Sequence, residues 1–228
     1  MDALASLITK FFDLLLVPFG SARWAALAVV SALAGVLLLY SLAAAAASVD
    51  DPQQLVRTVG ETVLAEVTAR RAELEADPRL VYPLVESTVL PYLDFRRMAQ
   101  SALGRFWRRA TEVQKEGVIR EFRELLVRTY ATALLGYSGQ TIEYLPVKVP
   151  PGADKVLVPT RISSGGAPPV PVNYRLSREG DGWIVYDVVI DGVSLITNYR
   201  SQFASLVQRD GIDGLITALA EKNRGPRP

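Results

Sequence analysis

Beyond residue 50 the apolar positions recur with helical spacing for about ninety residues, and past Gly136 and Gly139 they alternate instead. The stretch DDPQQLVRTVGETVLAEVTARRAELEADP opens on Asp50 or Asp51 as a cap, sets Pro52 in the first turn, and repeats Leu55, Val59, Val63 and Val67. It reads as one amphipathic helix. A short helix follows around YPLVESTVLPYL, bracketed by Pro83 and Pro91. In DFRRMAQSALGRFWRRA, Phe95, Met98, Ala99, Ala102, Leu103 and Phe106 keep the spacing of a single buried stripe. Thr111 and Gln114 then have the spacing of a capping box. The long helix they start carries an inward stripe of Val118, Phe122, Leu125, Leu126, Tyr130, Ala133, Leu134 and Tyr137.

The alternating half predicts four strands, TIEYLPVKV, KVLVPTRI, VPVNYRL and WIVYDVVI. Turn chemistry separates them at Pro150-Pro151-Gly152, Gly165-Gly166 and Gly180-Asp181-Gly182, and connections so short make the sheet antiparallel. Val170, Val172, Tyr174 and Leu176 alternate with Pro171, Asn173 and Arg175, which gives that strand one wet face. Trp183 to Ile190 is apolar on both faces and is predicted to be central. Two helices close the chain, one burying Leu195, Ile196, Tyr199, Phe203, Leu206 and Val207, the other Ile212, Leu215, Ile216 and Leu219. The fold class is α+β, an antiparallel sheet of about four strands covered by amphipathic helices in one domain.

The segment before this domain has another character. From Trp24 to Ser48 the run WAALAVVSALAGVLLLYSLAAAAAS carries no charge, follows Arg23 and ends in small residues that suit signal cleavage. It also reaches the roughly 20 residues that span a bilayer. Residues 1–47 therefore read as a signal peptide or as an uncleaved membrane anchor, with residues 48–228 delivered across a membrane in either case. The leader MDALASLITKFFDLLLVPFG, in which Lys10 is the single basic residue, would suit an amphipathic helix in the membrane interface.

Composition removes much chemistry. The 228 residues include no cysteine and no histidine, which excludes disulfides, thiolate nucleophiles, imidazole bases and thiolate or imidazole metal sites. A balance of 25 basic against 24 acidic residues provides no broad positive field for nucleic acid. Gly192-Val193-Ser194 has the start of a nucleophile elbow, but Ile196 stands where the last glycine belongs and no histidine can serve as base. Ser194 reads as a helix N-cap, and Asp191-Gly192 as a turn that does not place Asp187 and Asp191 in a common site. No phosphate loop, calcium loop or zinc motif is present. The expectation is a protein that is not an enzyme and holds no metal. Arg97, Arg105 and Arg108 fall on the side of their helix opposite the apolar stripe, with Arg109 beside them. That face suits either solvent or an anionic surface, and Trp107 at its margin would suit a membrane interface.

The stretch YLDFRRMAQSALGRFWRRATEVQKEGVIREFRELLVRTYATALLGY and the later PVNYRLSREGDGWIVYDVVIDGVSLITNYRSQFASLVQRDGIDGLITALAEK closely resemble the MlaC family, the toluene-tolerance auxiliary proteins of ABC-type lipid transporters. The most specific matches are Asp94-Phe95, Leu103-Gly104 with Phe106-Trp107, Trp183 with Tyr186-Asp187-Val188, Gly192-Val193-Ser194-Leu195, and Asn198-Tyr199-Arg200 with Gln202-Phe203. The resemblance implies a periplasmic carrier that takes phospholipid between an outer-membrane lipoprotein complex and an inner-membrane ABC transporter and so maintains outer-membrane lipid asymmetry. It implies no cofactor, phospholipid being the cargo, and an apolar cavity between sheet and helices for the acyl chains. On that reading the lipid-binding residues are Phe95, Met98, Ala99, Leu103, Phe106, Phe122, Leu126, Tyr130, Leu134, Tyr174, Val188, Ile190, Val193, Tyr199 and Phe203. Arg97, Arg105, Arg108 and Arg200 would contact a partner or a headgroup. The leader is longer than the family's simple signal peptide, which leaves a tether to the inner membrane open. Pattern alone also fits a filled core, and then a non-catalytic interaction module of a transport complex with no lipid cargo.

Overall fold

The computed structural model describes residues 51–164 and 167–225, so the expected N-terminal signal or anchor and the expected turn at Gly165-Gly166 lie outside the described residues. Asp51 caps helix α1 (Pro52–Ala69), its carboxylate accepting from the Gln53 and Gln54 amides. The single helix expected here breaks at Arg70, beyond the last inward valine, Val67, and a short α2 (Arg71–Ala76) follows. Helix α3 (Val81–Thr88) holds Pro83 in its first turn, where a missing N–H is harmless, and passes into a 3-10 turn at Leu90–Tyr92. Helix α4 (Phe95–Leu103) is capped by Asp94 and ends at Gly104, whose φ of 58° favours glycine. A 3-10 turn, Gly104–Arg109, leads to the Thr111–Gln114 capping box and helix α5 (Glu112–Tyr130). The α-helix stops at Tyr130, and the rest of the expected stripe continues as a 3-10 segment, Ala131–Gly136.

The sheet has five strands in the order β1-β2-β3-β4-β5, all antiparallel: β1 (Thr141–Tyr144), β2 (Lys155–Ser163), β3 (Val170–Glu179), β4 (Gly182–Ile190) and β5 (Val193–Ser194). The fifth strand is a two-residue addition to the four expected. β4 is fourth in order, not central. Beyond β3 it meets only β5 at its end and the chain at Leu93–Asp94, where the Asp94 amide donates to the Val185 carbonyl at 2.9 Å. Its two apolar faces come from helices on both sides: Trp183 and Val185 pack with Leu55 and Val56 of α1, and Asp187 lies under the chain entering the last helix.

Between β3 and β4 the register shifts. Arg175 faces Asp187 and Leu176 faces Val185, so Tyr186 is the extra residue of a β-bulge. The bulge inverts the alternation, which sends Val188 and Ile190 to the same side of the sheet as Val185 and Asp187 to the other.

On that other side Asp187 organises the start of helix α6 (Leu195–Asn223). Ser194 accepts from the Thr197 amide at 3.0 Å as N-cap and donates its hydroxyl hydrogen to Asp187 Oδ2 at 2.7 Å. The Ile196 amide donates to Asp187 Oδ1 at 3.2 Å, and Arg175 Nη1 to Oδ2 at 2.8 Å. The two expected C-terminal helices are the two arms of α6, separated by Gly211 with φ 75° and ψ −179°. Helices α4, α5 and α6 enclose an aromatic core in which Phe122 meets Tyr199 and Phe203 edge-on, at 4.9 and 5.1 Å between ring centroids. Among the described residues no helix is long and apolar enough to cross a membrane, and no acidic cluster could hold a metal ion.

Ser194→Ala should cost about 1 kcal/mol through the lost cap. Asp187→Ala strands the buried Ile196 amide as well and should cost about 3 kcal/mol. Urea unfolding of both variants checks the order; equal midpoints would contradict it.

Candidate functional site

Between the sheet and the helices lies a cavity of about 420 Å³. Its walls are α1 (Leu55, Val56, Val59, Gly60, Val63, Leu64), the region from α3 to α4 (Val85, Val89, Leu90, Tyr92, Leu93, Phe95, Met98), and α5 with its 3-10 extension (Leu126, Val127, Tyr130, Ala131, Ala133, Leu134). The sheet contributes Ile142, Ile162, Val170, Val172, Tyr174, Val185, Val188 and Ile190. Gly136, Tyr137, Gln140 and Leu195 complete the lining. Among the described residues no lining side chain is charged, and Gln140 is the one amide. Side-chain length explains the gap. Half of the facing positions on α1 and the sheet are valine, and the others are isoleucine or leucine apart from Gly60 and Tyr174, whereas phenylalanine, tyrosine and methionine fill the neighbouring helical core.

Gly60 has a specific reason. A Cβ there would lie 2.7 Å from the Tyr144 hydroxyl, so the glycine lets β1 approach α1, and the Arg57 guanidinium covers the same tyrosine ring at 4.3 Å. The Tyr144 hydroxyl is buried with no hydrogen-bond partner among the described residues.

Burial raises three tyrosines, Tyr130 and Tyr174 on the cavity wall and Tyr199 behind it. Burial pushes the Tyr174 hydroxyl up to about 12, with the neighbouring Tyr144 adding to the shift. Burial also raises Tyr130, which is hydrogen-bonded to Tyr199. Tyr199 itself is pushed up to about 12 by burial, against hydrogen bonds from Tyr130 and Thr129 that act the other way. Tyr130 and Tyr174 keep some accessible surface although strongly desolvated, because that surface borders the cavity. Among the described lining residues there is no carboxylate, lysine, arginine, serine or threonine. They offer apolar area.

Of the fifteen residues that the sequence pointed to, Phe95, Met98, Leu126, Tyr130, Leu134, Tyr174, Val188 and Ile190 lie on the cavity wall. Ala99, Leu103, Phe106, Phe122, Tyr199 and Phe203 lie in the packed core of α4, α5 and α6, and Val193 packs against that core. The stripes of α4 and α5 are wide enough to serve two neighbours: Met98 and Leu126 belong to the helical core and also border the cavity, whereas Ala99 and Phe122 lie in that core without lining the cavity. The contribution of α1 and of Ile142 and Ile162 was missed. The signal was a valine-rich helical stripe interrupted by Gly60, since a glycine inside a helix costs about 1 kcal/mol relative to alanine and calls for a packing reason. The four arginines are outside the wall. Arg97 lies over the Tyr186 ring at 5.3 Å, Arg105 over Phe106 at 5.0 Å, Arg200 Nε donates to the Ser101 carbonyl at 2.7 Å, and Arg108 is exposed. Trp107, expected at a membrane-facing margin, is buried instead, held against the helical core beneath Arg96 and Lys115.

The model of the MlaC protein family matches residues 57–221, a span that holds the cavity's helices apart from the start of α1, with Leu55 and Val56, and the whole sheet. The chain belongs to the MlaC family. It is 24% identical over 196 residues to the intermembrane phospholipid transport system binding protein MlaC of Haemophilus influenzae, covering 84% of this chain and 91% of that protein. It is 26% identical over 163 residues to the toluene tolerance protein ttg2D of Pseudomonas putida, covering 71% of this chain and 75% of that one. The solved phospholipid-binding protein of Ralstonia solanacearum, in complex with a phospholipid, superposes with a TM-score of 0.70 at 36% identity, over 76% of this chain and 97% of that chain. The two MlaC relatives and this neighbour are named for binding, transport or tolerance, not for catalysis.

The two environments separate under mutation. Leu126→Trp adds volume into the cavity and should leave the melting temperature of delipidated protein nearly unchanged while displacing bound ligand. Ala99→Leu overpacks the closed helical core and should cost about 1–3 kcal/mol with ligand per folded molecule unaltered. Early melting of Leu126→Trp with full ligand content would remove Leu126 from the site.

Alkaline stability tests the buried tyrosines. With Tyr174 and Tyr199 at about 12 in the folded state, the unfolded chain loses these protons first. Their contribution is complete below pH 10 and is lost as pH rises from about 10 to about 12. Urea midpoints at about pH 9 and about pH 11 should show this fall, less so in Tyr174→Phe.

Proposed function

We propose that this protein is a phospholipid-binding carrier of an ABC-type transport system, shuttling phospholipid between outer and inner membrane and maintaining outer-membrane lipid asymmetry. The observation that carries this reading is the charge-free cavity of about 420 Å³ in a fold shared with a protein solved around a phospholipid. Acyl chains occupy the valine-lined gap, and the headgroup stays outside a wall that has no charge to receive it. Burial of apolar chain gains about 0.8 kcal/mol per methylene, so about a dozen methylenes provide a gross 10 kcal/mol before the losses of association. That is enough to hold a lipid through water and is released wherever an apolar acceptor takes the chain. The role is binding without catalysis. Ser194 and Asp187 are already committed to capping α6.

The partners in this reading are an inner-membrane ABC lipid transporter complex and an outer-membrane lipoprotein complex. The place of work is the periplasm, reached by export on the N-terminal apolar segment, with the mature protein either free or tethered to the inner membrane by it.

Full-length protein expressed in a Gram-negative host and purified without detergent should carry phospholipid at a fixed molar ratio, read by solvent extraction and mass spectrometry. The same preparation locates the mature N-terminus. Release by osmotic shock with Ser48 or a close neighbour first means cleavage, and full-length protein in the membrane fraction means a tether. A folded, monodisperse, lipid-free protein would overturn the carrier reading in favour of an interaction module.

A further inference from the structure

The cavity meets solvent at one turn. Among the described lining residues Gly136 alone is exposed, and residues 136–140 carry the chain from the 3-10 segment into β1, with Tyr137 and Gln140 half-buried. Arg71 of α2 fixes this turn from outside by donating to the Tyr137 carbonyl, and Gly139 supplies a φ of 92°. Gln140 lines the cavity at this rim. Apart from tyrosine hydroxyls, its carboxamide is the one side-chain hydrogen-bond donor among the described lining residues.

The amide is held by its own turn. Gln140 Oε1 accepts from the Ser138 amide at 2.8 Å, and Nε2 donates to Ser138 Oγ at 3.2 Å. The reverse orientation would set an NH2 group against the Ser138 N–H, so these bonds fix which end of the carboxamide is the donor. One of the two Nε2 hydrogens is thereby used. The other has no partner among the described residues, and a donor already held in place loses little freedom when it engages a ligand.

A phospholipid whose chains fill an apolar cavity has its two ester carbonyls where the chains begin, as the first polar atoms outward of the methylenes. They meet the protein where the wall stops being apolar. On this wall that level is Gln140, two residues before Ile142, which stands level with Ile162 and Val170 across the sheet. Other hydroxyls of the wall are placed differently. Tyr174 lies four residues along β3 from Val170, about 13 Å further in, flanked by Val158 and Val188. Tyr130 is bonded to Tyr199.

We propose that Gln140 is the ester-recognising residue of the cavity: its second Nε2 hydrogen is donated to an acyl ester carbonyl of the bound phospholipid, so that the protein selects ester-linked over ether-linked glycerophospholipid. The inference rests on the carrier reading. It adds a polar specificity that apolar walls alone do not provide, because a diether lipid of equal chain length fills the same space and lacks the carbonyl.

The test offers both linkages at once. Delipidated full-chain protein is mixed with vesicles of equal amounts of diester and diether phosphatidylglycerol with saturated chains of one length, and the bound lipid is read by native mass spectrometry. The shared headgroup cancels in the ratio. Wild type is expected to carry the diester in about fivefold excess, the worth of one hydrogen bond. Gln140→Leu has no donor, and Gln140→Glu keeps an acceptor for the Ser138 amide but brings no hydrogen of its own, so both should carry the two lipids in nearly equal amounts. Their melting temperatures should stay near that of wild type, since the side chain sits on a half-exposed turn. A ratio unchanged from wild type in either variant overturns the inference, whatever that ratio is. Uptake of neither lipid by the wild type is a separate result: it overturns the carrier reading and takes this inference with it.

Discussion

A single extra residue in β4 decides what the cavity contains. Without the bulge at Tyr186, regular alternation from Val185 would put Asp187 on the cavity side of the sheet and turn Val188 and Ile190 away from it. A carboxylate would then stand in a chamber whose described wall has no cation to pair with it, at a desolvation cost of several kcal/mol. With the bulge, the valine and isoleucine complete the wall and the carboxylate anchors α6 on the far side through Ser194, the Ile196 amide and Arg175. The apolar chamber and the capped helix are two results of one local geometry.

The chamber persists because contacts at the two ends of α1 hold it off the sheet. At its start, Leu55 and Val56 pack with Leu176, Trp183 and Val185. Towards its end, Val63 and Val67 pack with Val81, Tyr82 and Val85 of α3. Between them the facing side chains are short, and the aromatic core behind α5 resists collapse from the other direction. An unfilled space of this kind forfeits dispersion contacts, so any apolar occupant stabilises the fold by mass action. Folding and loading are therefore linked in a protein with this shape.

Much of this was legible in the sequence because local chemistry carries it. Asp51, Thr111 with Gln114, and Ser194 cap the helices they were expected to cap, and the alternating segments form an antiparallel sheet. What escaped the sequence depends on relations between elements. The bulge needs two strands to define it, and nothing in WIVYDVVI marks Tyr186 as the unpaired residue. The place of β4 beside the edge was hidden because an apolar strand looks the same whether strands or helices cover it. Which core residues also border the cavity, as Met98 does and Ala99 does not, depends on which neighbour stands over each residue. Family resemblance pointed to a cavity, but only three-dimensional placement distinguishes its wall from the packed residues behind it.

The close approach of Tyr144 to Gly60 also bears on where this molecule breathes. Separating β2 from β3 would break a ladder of backbone bonds, whereas parting α1 from β1 strands no hydroxyl that is paired now, since Tyr144 has no partner to lose. Beside that contact the seam holds, among the described residues, a hydrogen bond from Gln53 Nε2 to the Leu145 carbonyl and the stacking of Arg57 on the tyrosine ring. Amide exchange should then be faster in β1 than in β3, because strand edges with few bonds to their cover open first. The interior would be reached from the flank of the sheet, by a hinge-like parting along a glycine.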